Sequence, residues 1–593
     1  MAGSRELEQG IAAHNARQWD RAEKHYRRAA KEPALRGDAL HLLGLLYIDR
    51  ARSQDALPIL AKAVDQAPQI LAYRITKARC EYQLGKFRAA LSTLLAVPPR
   101  VPINTETCQQ LADGLTAVGL GIRDTEGPIA ALPAFRAALD MVPGHPGLMR
   151  NLGLTLIAAG QAEEAIPVLG AARKASPQDR ELWLGLSGAL IEAGRDDEAE
   201  ELLRAACLNF PTDVRFAGNL ATALQEQGRL EEAVTMSEHV LASGDSSGRR
   251  LFNHANILYG LERWPAAVRA YDGALSGGFD HEAVLFNRGK ARLTTDPASR
   301  DGWSDYLRRH LPPVPAGCPA ALRPPAMLRP GQRICLLAEQ GLGDQLFFLR
   351  WAPSLLAMGI EVALALDGKL KPLLQLSVDL PWFDNPRLAA EAGFSTLVWL
   401  GDLPILTRSE RGEIAIPPPF PLKGQDGGND QPDLRGLTGC DRLIGLTWRA
   451  GQMGRNRLSK EVPFDSLLDI LADTRGGIVC LQRGPNKVEL DRLHERLGSR
   501  FVDCSAFNNN LADMASLLST LDLYVTVSNT NLHIAESLGR LRSLVLIPRP
   551  FFTWGAEGIE SPWFPRSRVV RRAAGAGWDA TMHSLAQAMR GDD

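Results

Sequence analysis

The chain has 593 residues, 45% of them hydrophobic and 23% charged, with a formal net charge of −1. That length exceeds a single hydrophobic core and implies several domains, and the near-neutral balance argues against nucleic acid or an anionic membrane as the main partner. No apolar run is long enough to span a bilayer, the opening MAGSRELEQG lacks a signal-peptide core, and the eight cysteines form no C-x-x-C pair. These features point to reduced thiols, no zinc site and a cytoplasmic location.

In chain order, the first half repeats with a period of 34. Ala165, Ala199, Ala233 and Ala267 keep this spacing, as do Gly10 with Gly44 and Pro177 with Pro211. Around them a small-x-x-x-large-x-x-Ala pattern recurs, as in Ala22, Tyr26, Ala29; Ala56, Leu60, Ala63; Ala131, Phe135, Ala138; and Ala199, Leu203, Ala206. Small residues allow close helix approach, and the large residue is expected to fill the gap between neighbouring pairs. With Trp183 and Leu186 at early positions of a unit, the pattern resembles the tetratricopeptide repeat. The predicted solenoid covers residues 1–310, less regularly near 101–107. Residues 282–310 read as a final helix pair or cap, with Trp303 and Tyr306 available to close its core.

On the first helix of successive units, Asn151, Asn219, Asn253 and Asn287 share one register position, and Gly185 occupies the remaining rung. A carboxamide both donates and accepts, so such a row can pair with a peptide backbone whatever its side chains. The row resembles the asparagine ladder inside the superhelix of O-linked N-acetylglucosamine transferases. The plainer alternative is asparagine tolerated on an exposed helix face.

Residues 311–332 hold seven prolines, which forbid a regular helix and stiffen the stretch, so it reads as a linker. Beyond it, short apolar runs alternate with helical stretches, as in βαβ units. Strands are predicted at 333–338, 361–366, 396–400, 443–448, 477–481, 523–527 and 543–547, and helices at 345–357, 464–472, 511–520 and 531–538. A Pro- and Gly-rich segment separates a first lobe (333–422) from a second (441–593), with 423–440 as the loop between them.

The stretch RICLLAEQGLGDQLFFLR, from Arg333 to Arg350, reads as strand, glycine turn and helix. Gly341 and Gly343 permit close approach of a ligand, and Asp344 falls where the helix begins; the dinucleotide fingerprint's third glycine is missing. Three strand ends of the second lobe present Arg449 with the basic cluster Arg455, Arg457 and Lys460; Gln482 with Arg483; and Ser528, Asn529, Thr530 and His533. A helix start with exposed amides suits a phosphate, and the cations could neutralise it. Each has a structural alternative: Asp344 and the S-N-T-N turn as helix caps, His533 as a core histidine, the basic cluster as a solvated loop. The functional case is their coincidence at strand ends facing one predicted cleft.

AEQGLGDQLFFLRWAPSL, GLTWRAGQMGRNRLSKEVPF, VTVSNTNLHIAESLG and ESPWFP together resemble bacterial heptosyltransferase-like glycosyltransferases. The closer resemblance is to the branch fused behind tetratricopeptide repeats, which includes flagellin-modifying transferases. It implies a GT-B fold of two Rossmann-like lobes, with Asp344 as catalytic base and a nucleotide-sugar bound by the second lobe. Where that family commonly carries an acid in the turn ahead of the histidine, this chain has Asn529 and no acid there and keeps His533, implying a donor other than ADP-heptose. No D-x-D motif is present, in keeping with a metal-independent enzyme that uses a nucleotide-sugar co-substrate and no cofactor.

The function expected is protein O-glycosylation. Sugar passes from a nucleotide donor to Ser or Thr of a protein captured by the repeats. The resemblance points to flagellin as acceptor and to a nonulosonic acid such as pseudaminic acid, CMP-linked, as donor. The alternatives are a lipopolysaccharide or other glycan transferase, and a non-catalytic repeat scaffold with a degenerate transferase domain.

Overall fold

A computed structural model describes residues 2–97, 104–324, 328–424, 432–450, 461–548, 551–573 and 576–590. The chain divides into two compact units, Met1–Ser243 and Gly244–Asp593.

The first unit is a run of helices, each packed on the next. Its alanines at the repeat positions, from Ala22 to Ala206, are fully buried. The reason lies one helix earlier. A Cβ on Gly10 would stand 2.6 Å from the Tyr26 ring, one on Gly44 2.4 Å from Leu60, and one on Gly153 2.5 Å from Leu169. The large residue therefore fills a notch in the first helix of its own pair, rather than the gap between pairs. The turns within pairs share a left-handed residue: Gly85, Gly160, Gly194 and Gly228 have φ of 69°, 73°, 77° and 79°, while Arg17 and Ala51 adopt 54° and 56°. The last two carry the strain that glycine avoids. Helix Thr105–Glu126, at 22 residues, accounts for the irregular stretch of the repeat; residues 101–103 lie outside those described.

The second unit opens with helices Gly248–Gly260, Trp264–Ser276, Glu282–Thr295 and Arg300–Tyr306, then turns into parallel sheet. Its strands are β1 (Ala321–Leu322), β2 (Arg333–Leu337), β3 (Glu361–Ala365), β4 (Thr396–Trp399), β5 (Leu443–Leu446), β6 (Gly477–Cys480), β7 (Phe501–Asp503), β8 (Leu523–Val527), β9 (Arg542–Ile547) and β10 (Ser567–Arg571). They form a four-stranded sheet, β1-β4-β2-β3, and a six-stranded sheet, β10-β9-β8-β5-β6-β7; every pairing is parallel. β1 comes from the proline-rich stretch and pairs with β4 through Ala321 and Leu322.

Both faces of each sheet are covered, which explains the near-continuous apolar runs. Ile334 and Leu336 of β2 enter one core with Leu346 and Phe347, while Cys335 and Leu337 face another with Phe394 and Trp399. β8 divides likewise, with Tyr524 on one side and Leu523, Val525 and Val527 on the other. Trp303 and Tyr306 do not close a separate repeat core. They join a core shared by both lobes, where Trp303 lies 5.8 Å from Trp351, 5.9 Å from Phe552 and 6.1 Å from Trp563 between ring centres.

Candidate functional site

A cleft of about 510 Å³ opens between the two lobes. One wall is the turn after β2, with Gln340, Gly341, Gly343 and Asp344, joined by Asp367 and Lys369 from the turn after β3. The other is built from the ends of β5, β6 and β8: Thr447 and Arg449, Arg483, and Ser528, Asn529, Thr530 and His533. In a parallel sheet these carboxyl ends lie on one edge, and β5 and β8 are the neighbours from which the chain departs in opposite directions, so their turns diverge and leave a crevice.

Helix Leu342–Leu349 starts on Gly341, in extended conformation, and carries the half-buried Asp344 in its first turn. It packs on helix Thr530–Leu538, which places the buried His533 imidazole against Gly343; Phe347 and Phe564 meet the ring edge-on. Asn529 caps that second helix, its Oδ1 accepting from the Leu532 amide at 2.9 Å, while its Nδ2 donates to Thr526 Oγ1 at 2.9 Å. A carboxylate could do the first but not the second, which gives Asn529 a local reason in this chain.

Gln482 does not line the cleft. It is fully buried, and its Oε1 accepts from the amides of Trp448 at 3.1 Å and Arg449 at 3.0 Å, so it shapes the turn from behind. The Arg449 side chain is bound by Glu489 and by the Gly484 carbonyl at 3.0 Å. Burial pushes the Glu489 carboxyl upward, but the Arg449 hydrogen bond, the Asn486 amide and the Trp448 indole outweigh it and hold it below its usual range. Arg483 is exposed at the rim. Arg455, Arg457 and Lys460 lie outside the described residues.

Behind the first wall, Arg350 is 2% exposed and donates to the carbonyls of Phe347 and Trp563, each at 2.9 Å. Burial lowers its pKa to about 9. Glu536, also buried and raised by burial, accepts from Ser567 Oγ at 2.5 Å. Sequence reasoning missed Asp367, Lys369, Asn508 and Glu489, whose places depend on tertiary packing; Asn508 is held by the Leu481 carbonyl at 3.1 Å and accepts from Asn531 Nδ2 at 3.0 Å. Among the described residues, no group of three or more His, Cys, Asp or Glu could hold a metal ion, and no helix is long and apolar enough to cross a membrane.

In the first unit, Asn151 and Asn219 are half-buried at the sixth residue of helices Pro146–Ala158 and Val214–Glu226; Asn219 Nδ2 donates to Ser187 Oγ at 3.3 Å. Gly185 takes the same place on helix Arg180–Glu192, where a Cβ would stand 3.1 Å from Leu154, so packing leaves little room for a side chain on this rung. In the second unit, Asn253 and Asn287 hold the equivalent places on Gly248–Gly260 and Glu282–Thr295. Asn287 Nδ2 donates to Asn256 Oδ1 at 3.0 Å, which also accepts from the Tyr271 hydroxyl at 2.7 Å.

Tetratricopeptide-repeat models match residues 128–183, 156–215 and 216–243, and a model of anaphase-promoting complex, cyclosome, subunit 3 matches residues 15–97. The N-terminal half thus carries tetratricopeptide repeats in a helical solenoid, followed along the chain by a region of parallel sheets with helices. Protein FlbA of Caulobacter vibrioides is 25% identical over 322 residues, covering 49% of this chain and 52% of FlbA; the chain spans about half the length of this relative. Similar solved structures include a tetratricopeptide repeat protein from Parabacteroides merdae, with 17% identity, 48% of this chain, 97% of that chain and a TM-score of 0.25. Yeast Tom70 shows 11% identity, 52% and 90% coverage and a TM-score of 0.25. The repeats suit the protein for binding other proteins.

Proposed function

We propose that the chain is a metal-independent protein O-glycosyltransferase whose two α/β lobes act as a GT-B pair. The observation that carries this reading is the cleft with Asp344 on one wall and the Ser528–Thr530 helix start, Arg483 and His533 on the other. A Ser or Thr hydroxyl of the acceptor enters beside the glycine loop and loses its proton to Asp344 as it attacks the glycosyl carbon. The bond to the nucleotide phosphate breaks, and the developing charge is met by Arg483 and the first amides of helix Thr530–Leu538. The repeats hold the acceptor. Flagellin as acceptor and a CMP-linked nonulosonic acid as donor are the specific substrates proposed, with the reaction in the cytoplasm.

Replacing Asp344 by Asn tests this. Transfer, followed by mass spectrometry of the acceptor, is lost while acceptor affinity is kept; full transfer by the variant removes Asp344 from its role. The engagement of Arg449 by Glu489 supports a second reading, a repeat scaffold with a transferase-like domain that does not turn over. Calorimetry with a panel of nucleotides separates the two, because such a scaffold binds none.

A further inference from the structure

We propose that Tyr306, the last residue of the final repeat helix, is a positioning residue for the glycine loop that carries Asp344. The inference rests on the glycosyltransferase reading for its catalytic consequence and on the hydrogen bonds alone for its structural one.

Tyr306 is 2% exposed. Gln340 Nε2 donates to its hydroxyl at 3.0 Å. Gln340 lines the cleft and immediately precedes Gly341. Its carbonyl accepts from Gln345 Nε2 at 2.9 Å, and Gln345 Oε1 accepts from the Asp367 amide at 3.1 Å. One run of hydrogen bonds therefore leads from the end of the repeats, beneath the glycine loop, to the second loop of the same wall. Gln345 is 3% exposed, so water does not readily substitute within this run.

The loop is clamped on both sides of Asp344. Before it, Glu339 is bound through two nitrogens by Arg309, at 2.8 and 2.9 Å. After it, the Tyr306 ring lies 5.9 Å from that of Phe348. Burial pushes the Tyr306 phenol well above its usual range, with Asp344 among the nearby charges that add to the shift, so the hydroxyl stays neutral at any working pH. The ring packs and the hydroxyl positions, and these roles separate cleanly by substitution.

The test is Tyr306→Phe in the full-length chain, which keeps the ring. Amide hydrogen exchange across residues 340–345 is expected to rise about tenfold, and kcat for transfer to fall about tenfold, the factor that one lost buried hydrogen bond commands. KM for the donor stays within about twofold, because the donor contacts lie on the other wall. The double variant Tyr306→Phe/Gln340→Met is no worse than the worse single one. Unchanged loop exchange, a loss confined to KM, or additive losses in the double variant would overturn the proposal. A wild-type chain that transfers no sugar counts against the glycosyltransferase reading, while the exchange result still decides the positioning role.

Discussion

The His533 imidazole occupies the space beside Gly343 where a side chain would begin: a Cβ there would stand 3.0 Å from Cδ2 and 3.3 Å from Nε2. The contact joins the first turns of two helices from different lobes, and both residues line the cleft. Gly343→Ala gains about 1 kcal/mol of helix propensity, which offsets the crowding in the stability balance. The ring has no easy retreat, since Phe347 and Phe564 meet it edge-on at 6.3 and 5.1 Å. We expect thermal stability within a few degrees of wild type and nucleotide affinity lowered about tenfold or more by calorimetry. Equal affinity in the two proteins would show that the spacing is immaterial.

Arg309 is 3% exposed and serves two buried carboxylates, Glu339 at 2.7 Å and Asp402 at 2.8 Å, with Arg323 reaching Asp402 from the other side at 2.9 Å. Burial pushes both carboxyls upward, against the pull of the guanidinium groups. Removing one partner of such a set leaves an uncompensated charge. Arg309→Ala should cost about 3–5 kcal/mol in denaturant unfolding. Adding Glu339→Gln to it should recover part of that loss, and strictly additive costs would contradict the coupling.

Glu489 gives a pH signature. Its folded carboxyl lies below the unfolded value, so its contribution is fully present above about pH 4.3 and disappears as pH falls through the folded value. Glu489→Gln should be less stable than wild type at pH 7, and the gap should close on acidification towards pH 3. Denaturant midpoints measured across that range decide the matter; a gap independent of pH would assign the loss to packing.

The parallel strands were legible where five or so apolar, β-branched residues run together, as in LYVTV of β8. They were not where a strand is brief, as in β1 and β7, or flanked by arginines, as in β10. Helix Lys487–Leu497 escaped notice because it buries only Leu493 and Leu497 and is otherwise charged. The repeat period was readable because it is written in fully buried alanines, whereas the notch that receives each large residue is a pairwise fact. At the cleft, the glycine turn and the S-N-T-N turn carry their signals locally. The Arg449–Glu489 pair spans forty positions, and the turn holding Lys369 is fixed by Gln345; neither could be read from neighbouring residues.

The shared aromatic core around Trp303 sets a schedule for synthesis. Helices of the first unit find their partners among immediate neighbours and can pack as they emerge. Trp303 meets Phe552 and Trp563 only after about 250 further residues have been made, some 12–50 s at bacterial or slower elongation rates. Phe348 and Trp351 reach Trp303 and Tyr306 within some fifty residues, so the cluster forms in two stages and waits for its last two rings until the chain is nearly complete.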